Sequence, residues 1–106
     1  MTNNAQSAAT TRRAIVVGTI RFRDQVAWAE YRGRVGATIA AHQGEVMVRT
    51  QRPTPLTLAA PHDAVVVLSF PTREHALRWH ASAEYQALVP LRDRGADVTL
   101  ALYDAE

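Results

Sequence analysis

Trp79–Asp93, WHASAEYQALVPLRD, is the stretch on which the reading of this fold turns. It brings a Trp, a His, a Tyr and an Arg onto short helical segments, more aromatic and basic side chain than a small core needs. Upstream, Ala64–Phe70 (AVVVLSF) is β-branched and apolar, the composition of a buried strand. Pro71-Thr72 then marks a helix start, which predicts a helix over Thr72–Ala81 capped by Thr72. Ser82 caps a further short helix through Val89, and Pro90 opens another turn, Leu91–Arg94, that Gly95 ends. Val98–Tyr103 (VTLALY) is a strand again. The second half of the chain is therefore strand, helices, strand.

The first half repeats that order. Ala14–Phe22 (AIVVGTIRF) is apolar on both faces, which predicts a central strand. Asp24 is placed as an N-cap, and Trp28, Tyr31, Val35 and Ile39 follow at spacings of three or four, one face of an amphipathic helix. Gly33 and Gly36 weaken that helix, and a close backbone contact is expected there. Gln43-Gly44 is the stop, and Glu45–Thr50 (EVMVRT) is a second strand. Arg52–Asp63 holds Pro53, Pro55 and Pro61 and reads as a long loop, with Leu56-Thr57-Leu58 laid along an edge. The order β-α-β-β-α-β predicts an α+β, ferredoxin-like fold: a four-stranded antiparallel sheet with helices on one face. One face of that sheet, carrying Ile15, Val17, Thr99 and Ala101, has no cover within 106 residues. A homodimer joined through the open sheet face supplies it.

Composition narrows the chemistry. The chain has no cysteine, which removes disulfides, thiolate nucleophiles and Cys-based metal sites. All basic residues are Arg, so no lysine Schiff base can form. The net charge is only +2, and Arg residues are interleaved with Asp and Glu, which argues against a nucleic-acid face. No apolar run is long enough to cross a membrane. Residues 1–12 are polar and read as a disordered lead of cytoplasmic type, followed by a single domain over residues 13–106.

On these elements the chain resembles a family of short bacterial proteins of uncharacterised function within the dimeric α/β-barrel superfamily. The matching pieces are Tyr31-Arg32, Ala40-Ala41-His42-Gln43-Gly44, Val48-Arg49, Phe70-Pro71-Thr72-Arg73-Glu74, Trp79 with Ser82–Leu88, and Pro90–Arg94. The likeness covers about Ala14–Asp104. Two departures stand out: Thr50-Gln51 replaces a Gly-Gly, and the Pro-rich loop replaces a hairpin. The resemblance implies a cleft between helices and sheet, and relatives that include cyclases, isomerases, cofactor-independent monooxygenases and haem-handling enzymes. Fold alone does not choose among them.

The residues themselves suggest one working set. His42 lies eleven residues after Tyr31, three helical turns on the same stripe, so an imidazole and a phenol can act as acid and base. His42 equally suits a helix C-terminus, where the dipole favours it. Arg49, inward on an apolar strand, would stabilise a carboxylate or enolate oxygen; otherwise it faces water or pairs with Asp93 or Asp97. Catalytic roles thus fall to His42, Tyr31 and Arg49. Substrate contacts fall to Trp28, Trp79, His80, Tyr85 and Arg92, with Trp79 also a natural core residue. His75 and His80 are five apart and His62 is on a distant loop, so no metal site and no cofactor are expected. The expected function is a cofactor-independent small-molecule enzyme of a biosynthetic kind, acting in a cleft between helices and sheet: a cyclase, isomerase, dehydratase or related proton-shuttling enzyme, or a cofactor-independent monooxygenase. The alternative is a non-catalytic, ligand-binding or stress-associated homodimer.

Overall fold

The structure is a computed structural model that describes residues 13–105. The disordered lead expected over residues 1–12 lies outside the described residues. The elements run β1 (Ala14–Phe22), α1 (Gln25–Ala41), β2 (Glu45–Arg49), β3 (Ala64–Phe70), α2 (Arg73–Ala81), α3 (Ala83–Gln86), α4 (Val89–Gly95) and β4 (Ala96–Asp104). The strands form one sheet in the order β2-β3-β1-β4, every neighbouring pair antiparallel. That is the ferredoxin-like β-α-β-β-α-β arrangement, with β1 central as its two apolar faces predict.

Local chemistry sets the boundaries. The Asp24 carboxylate accepts from the N–H groups of Val26 and Ala27, starting α1. Thr72 caps α2 by accepting from His75 N–H, and Ser82 caps α3 by accepting from Tyr85 N–H. The stop of α1 is a Schellman turn: Gly44 N–H bonds Ile39 C=O and Gln43 N–H bonds Ala40 C=O. Gln43, not Gly44, takes the left-handed backbone, with φ 63°. Gly44 is instead required for space. A Cβ there would stand 2.7 Å from Phe70 Cδ2 and 2.9 Å from Ile39 Cγ2, both in buried side chains.

The close backbone contact expected at Gly33 and Gly36 is not found. A Cβ at either position would meet nothing within 4 Å. Both glycines lie on a part of α1 that no neighbouring element approaches, so their cost in helix propensity has no packing return. The loop after β2 also differs from expectation. Leu56 and Leu58 are 95% and 88% exposed and lie along no strand. The loop is tied at both ends: Thr50 N–H donates to Val65 C=O at 3.0 Å, Asp63 N–H donates to Ile20 C=O at 2.8 Å, and the Asp63 carboxylate accepts from Phe22 N–H at 2.8 Å.

The two sheet faces differ. Val16, Ile20, Ala64 and Leu68 are buried on the helix side. On the other side Ile15, Val17, Thr19, Val65 and Val67 are only half-buried, and no element among the described residues crosses them. Arg13 reaches the open face at its rim, donating from Nε to Ser69 Oγ at 2.6 Å and standing 3.6 Å from Glu45.

A pair of glycine substitutions tests this packing. Gly33→Ala adds a side chain to open space and should raise stability by about 1 kcal/mol. Gly44→Ala forces a shift in the Phe70–Ile39 contact and should lower it by about 1–3 kcal/mol. Urea unfolding of both variants reads the two signs together; the same sign in both would contradict the packing described.

Candidate functional site

The cleft lies between α1 and the inner face of the sheet. The inward face of α1 carries Tyr31, Val35 and Ile39, which share one core with Leu68 and Phe70 of β3, and beside them a hollow of about 410 Å³ opens between α1 and the sheet. The floor is the inner sheet face, Ile20, Ala64, Val66, Leu68 and Leu100. Trp28 and Trp79 form walls. The volume falls within the range of roughly 300–1,000 Å³ usual for small-molecule sites.

What holds α1 at that height is a wedge of aromatic side chains from α2 and α3. Trp79 is 2% exposed and Tyr85 0%. Their rings pack at 4.4 Å between centroids, and burying each contributes roughly 3 kcal/mol. Both reach polar partners on α1. Trp79 Nε1–H donates to Thr38 Oγ1 at 3.0 Å, and that hydroxyl donates in turn to Val35 C=O at 2.7 Å. The hydroxyls of Tyr85 and Tyr31 are 3.0 Å apart. Behind them, on α4, Arg92 donates from its guanidinium to the Tyr85 hydroxyl at 3.0 Å and also pairs with Asp93. Pro90 sits in the first turn of α4 and does not separate Tyr85 from Arg92.

This chain of groups fixes protonation states. Burial, reinforced by the neighbouring Tyr85, pushes the Tyr31 phenol well above its ordinary value of 10.0. Tyr31 therefore keeps its proton across the neutral range, and either hydroxyl can donate in the Tyr31–Tyr85 pair. For Arg92, burial alone would weaken the charged form, but hydrogen bonds to Tyr85 and Asp93 outweigh it and hold the guanidinium more firmly protonated.

The expected site residues divide into three groups. Tyr31, Arg49, Trp28 and Trp79 line the cleft. Tyr85 and Arg92 stand directly behind Tyr31, linked to it by hydrogen bonds. His42 and His80 lie elsewhere. His42 is the C-cap of α1, its ring beyond the cleft, which is the helix-terminus placement anticipated as its other reading. His80 lies on the other flank of Trp79, in a separate hollow bordered by Leu77 and Ala101.

Arg49 owes its inward aim to a β-bulge. Val46 pairs with Leu68 and Val48 with Val67, so the register slips at Met47. Arg49 then falls opposite Val66, on the cleft side, where plain alternation from Val46 would have turned it away. It does not pair with Asp93 or Asp97, which engage Arg92 and Arg23. Arg32, Thr50, Gln51 and Arg52 also line the cleft and were not anticipated. Arg32 follows Tyr31 directly, and a step of about 100° around the helix brings it to the rim. His75 serves locally, its Nδ1 2.7 Å from Thr72 Oγ1, and among the described residues no three His, Asp or Glu gather as a metal site.

The Tyr31 assignment has a pH consequence. A phenol whose folded-state value lies above the unfolded one favours the native state below pH 10 and loses that contribution as pH rises further. Above pH 10 the unfolded chain gives up this proton and the native one keeps it. Stability should therefore fall by up to about 1.4 kcal/mol per pH unit from this group. Denaturation between pH 9 and pH 11 should show a shallower decline in Tyr31→Phe than in the wild type; equal slopes would contradict the assignment.

No curated protein matches this chain in sequence. Solved structures do match in shape. A protein of unknown function from Rhodopseudomonas palustris is similar with a TM-score of 0.77 at 18% identity, covering 99% of this chain and 92% of that one. SnoaB, a cofactor-independent oxygenase from Streptomyces nogalater, is similar with a TM-score of 0.67 at 11% identity, covering 90% and 94%. A dimeric ferredoxin-like protein of unknown function from Thermobifida fusca gives 0.60 at 11% identity, covering 89% and 92%. At these identities the likeness shows the shared fold and nothing of the chemistry. The model of the domain of unknown function DUF1330 matches residues 13–105, and this chain is a member of that family.

Proposed function

We propose that this chain is a cofactor-independent small-molecule enzyme of the cyclase or isomerase kind, working as a homodimer joined through the open sheet face. The observation that carries the reading is the polar lining of the cleft. Its ionisable groups are Tyr31 and three arginines, all donors, set in an apolar hollow with no carboxylate or imidazole. Such a set stabilises negative charge developing on oxygen and is poorly suited to removing a tightly held proton. It suits a substrate whose C–H is already acidic, between two carbonyl groups, and which passes through an enolate during isomerisation or ring closure. In this reading the C–H proton passes to water at the cleft's open side, Tyr31 donates to the oxyanion and Arg49 neutralises it. Trp28 and Trp79 wall the substrate, and Tyr85 and Arg92 hold the Tyr31 hydroxyl in place. His42 and His80 take no part.

The similarity to SnoaB supports cofactor-independent chemistry at the level of fold analogy alone. The dimer is supported by the half-buried apolar strip over Val17, Val65 and Val67 and by the dimeric neighbour from Thermobifida fusca. A second reading, a ligand-binding dimer without catalysis, is favoured by that same lack of an acid–base group titrating near neutrality.

Deuterium exchange separates the two. Benzoylacetone, a β-dicarbonyl with one aromatic ring, is incubated in heavy water and followed by NMR. Catalysis predicts faster wash-in at the central carbon with wild-type protein, reduced at least tenfold by Arg49→Ala and by Tyr31→Phe. Exchange equal to the buffer rate would leave the ligand-binding reading. Sedimentation should show a dimer that Val17→Arg with Val67→Arg converts to a soluble monomer; a wild-type monomer at micromolar concentration would remove the dimer from the proposal.

A further inference from the structure

The arginines of this chain are unevenly provided for. Arg13, Arg23, Arg34, Arg73 and Arg92 each stand beside a carboxylate. Six arginines, Arg21, Arg32, Arg49, Arg52, Arg78 and Arg94, have no carboxylate partner among the described residues, and of these Arg32, Arg49 and Arg52 line one cleft. These three come from different elements: α1, the bulged end of β2 and the loop that follows. All three are exposed, whereas Tyr31 and Trp79 are buried, so the positive charge sits at the cleft's open side and the aromatic surface inside. Arg52 is also held at φ 53°, a backbone region that costs a non-glycine residue about 1–2 kcal/mol. Three guanidinium groups without counter-ions, around a low-dielectric hollow, concentrate anions at its entrance.

We infer that the cleft takes a flat, conjugated anion, its ring system between Trp28, Tyr31 and Trp79 and its carboxylate or ionised enol at Arg32, Arg49 and Arg52. The inference rests on the small-molecule reading of the cleft and adds the charge and shape of the ligand. The aromatic walls offer stacking and edge contacts to a planar body. Guanidinium forks match the two oxygens of a carboxylate, which a point-charge ammonium would not do as well. The interior offers an anion no other cationic group, so the ligand's orientation follows: ring inward, charge outward.

Two dyes with one ring system test this. 8-Anilinonaphthalene-1-sulfonate carries a sulfonate, and N-phenyl-1-naphthylamine is the same molecule without it. Both are titrated into the full chain, with emission excited through the tryptophans, since Trp28 and Trp79 flank the cleft. The anionic dye should bind at least tenfold more tightly at low salt, and added sodium chloride should erode only its affinity. Arg32→Ala, Arg49→Ala and Arg52→Ala combined should abolish the preference. Arg78→Ala, which removes an exposed arginine lining neither hollow, should leave it intact. Circular dichroism confirms that each variant is folded. Equal affinity for the two dyes, or a preference that survives the triple substitution, would overturn the inference. If neither dye takes energy from the tryptophans, the inference and the proposed function fall together. If the anion is preferred but no variant or wild type speeds deuterium exchange, the inference stands and the catalytic reading is lost.

Discussion

A wedge holds this protein open. Trp79 and Tyr85, fully enclosed between the short helices and α1, donate to or share hydrogen bonds with Thr38 and Tyr31 on α1. These partners make the wedge directional as well as bulky. A purely apolar wedge could slide, letting the middle of α1 close over Val66 and Leu100, which line the hollow. The paired hydroxyls and the indole N–H penalise that slide, because each group left unpaired in the interior costs roughly 1–3 kcal/mol. The hollow between α1 and the sheet is thus a consequence of polar satisfaction in the core, and the lining of the hollow follows from it.

Much of the architecture was legible from periodicity and caps. The stripe Trp28, Tyr31, Val35, Ile39 and the capping residues Asp24, Thr72 and Ser82 report interactions within a few residues of themselves, which is why they read correctly. Membership of the cleft was less legible, because it depends on events a periodic reading does not count. A bulge at Met47 turns Arg49 inward. A Schellman turn ends α1 at His42, so a residue on the right helical stripe lies beyond the cavity that the stripe lines. The Arg92–Tyr85 contact crosses the break between α3 and α4 at Ala87–Leu88, which spacing alone leaves undecided. Arg52 enters from a loop whose path no pattern predicts. Gly33 and Gly36 mislead in the opposite direction, since helix glycines often mark close contacts and here mark open space.

The two faces of the sheet divide the work. The helix side carries the cleft and its donors; the other side carries a half-buried apolar strip bordered by Arg13 and Glu45. Alternation along β1 and β3 keeps the two roles independent, since a residue that serves one face cannot reach the other. Family membership and a common fold are compatible with several chemistries on such a frame. The cleft of this chain is lined by apolar residues, one tyrosine and three arginines, with no carboxylate or imidazole among its described lining residues.

The standing hollow under α1 is the claim on which the rest depends, and a crystal structure under xenon pressure examines it most directly. Xenon collects in apolar hollows, and the inner part of this cleft is lined by Val35, Val66 and Leu100. The account predicts xenon between Val35, Val66 and Leu100, with the Trp79–Thr38 and Tyr31–Tyr85 hydrogen bonds intact. A structure with no xenon there, and with the Val35 side chain in contact with Val66, would show α1 collapsed onto the sheet and contradict it.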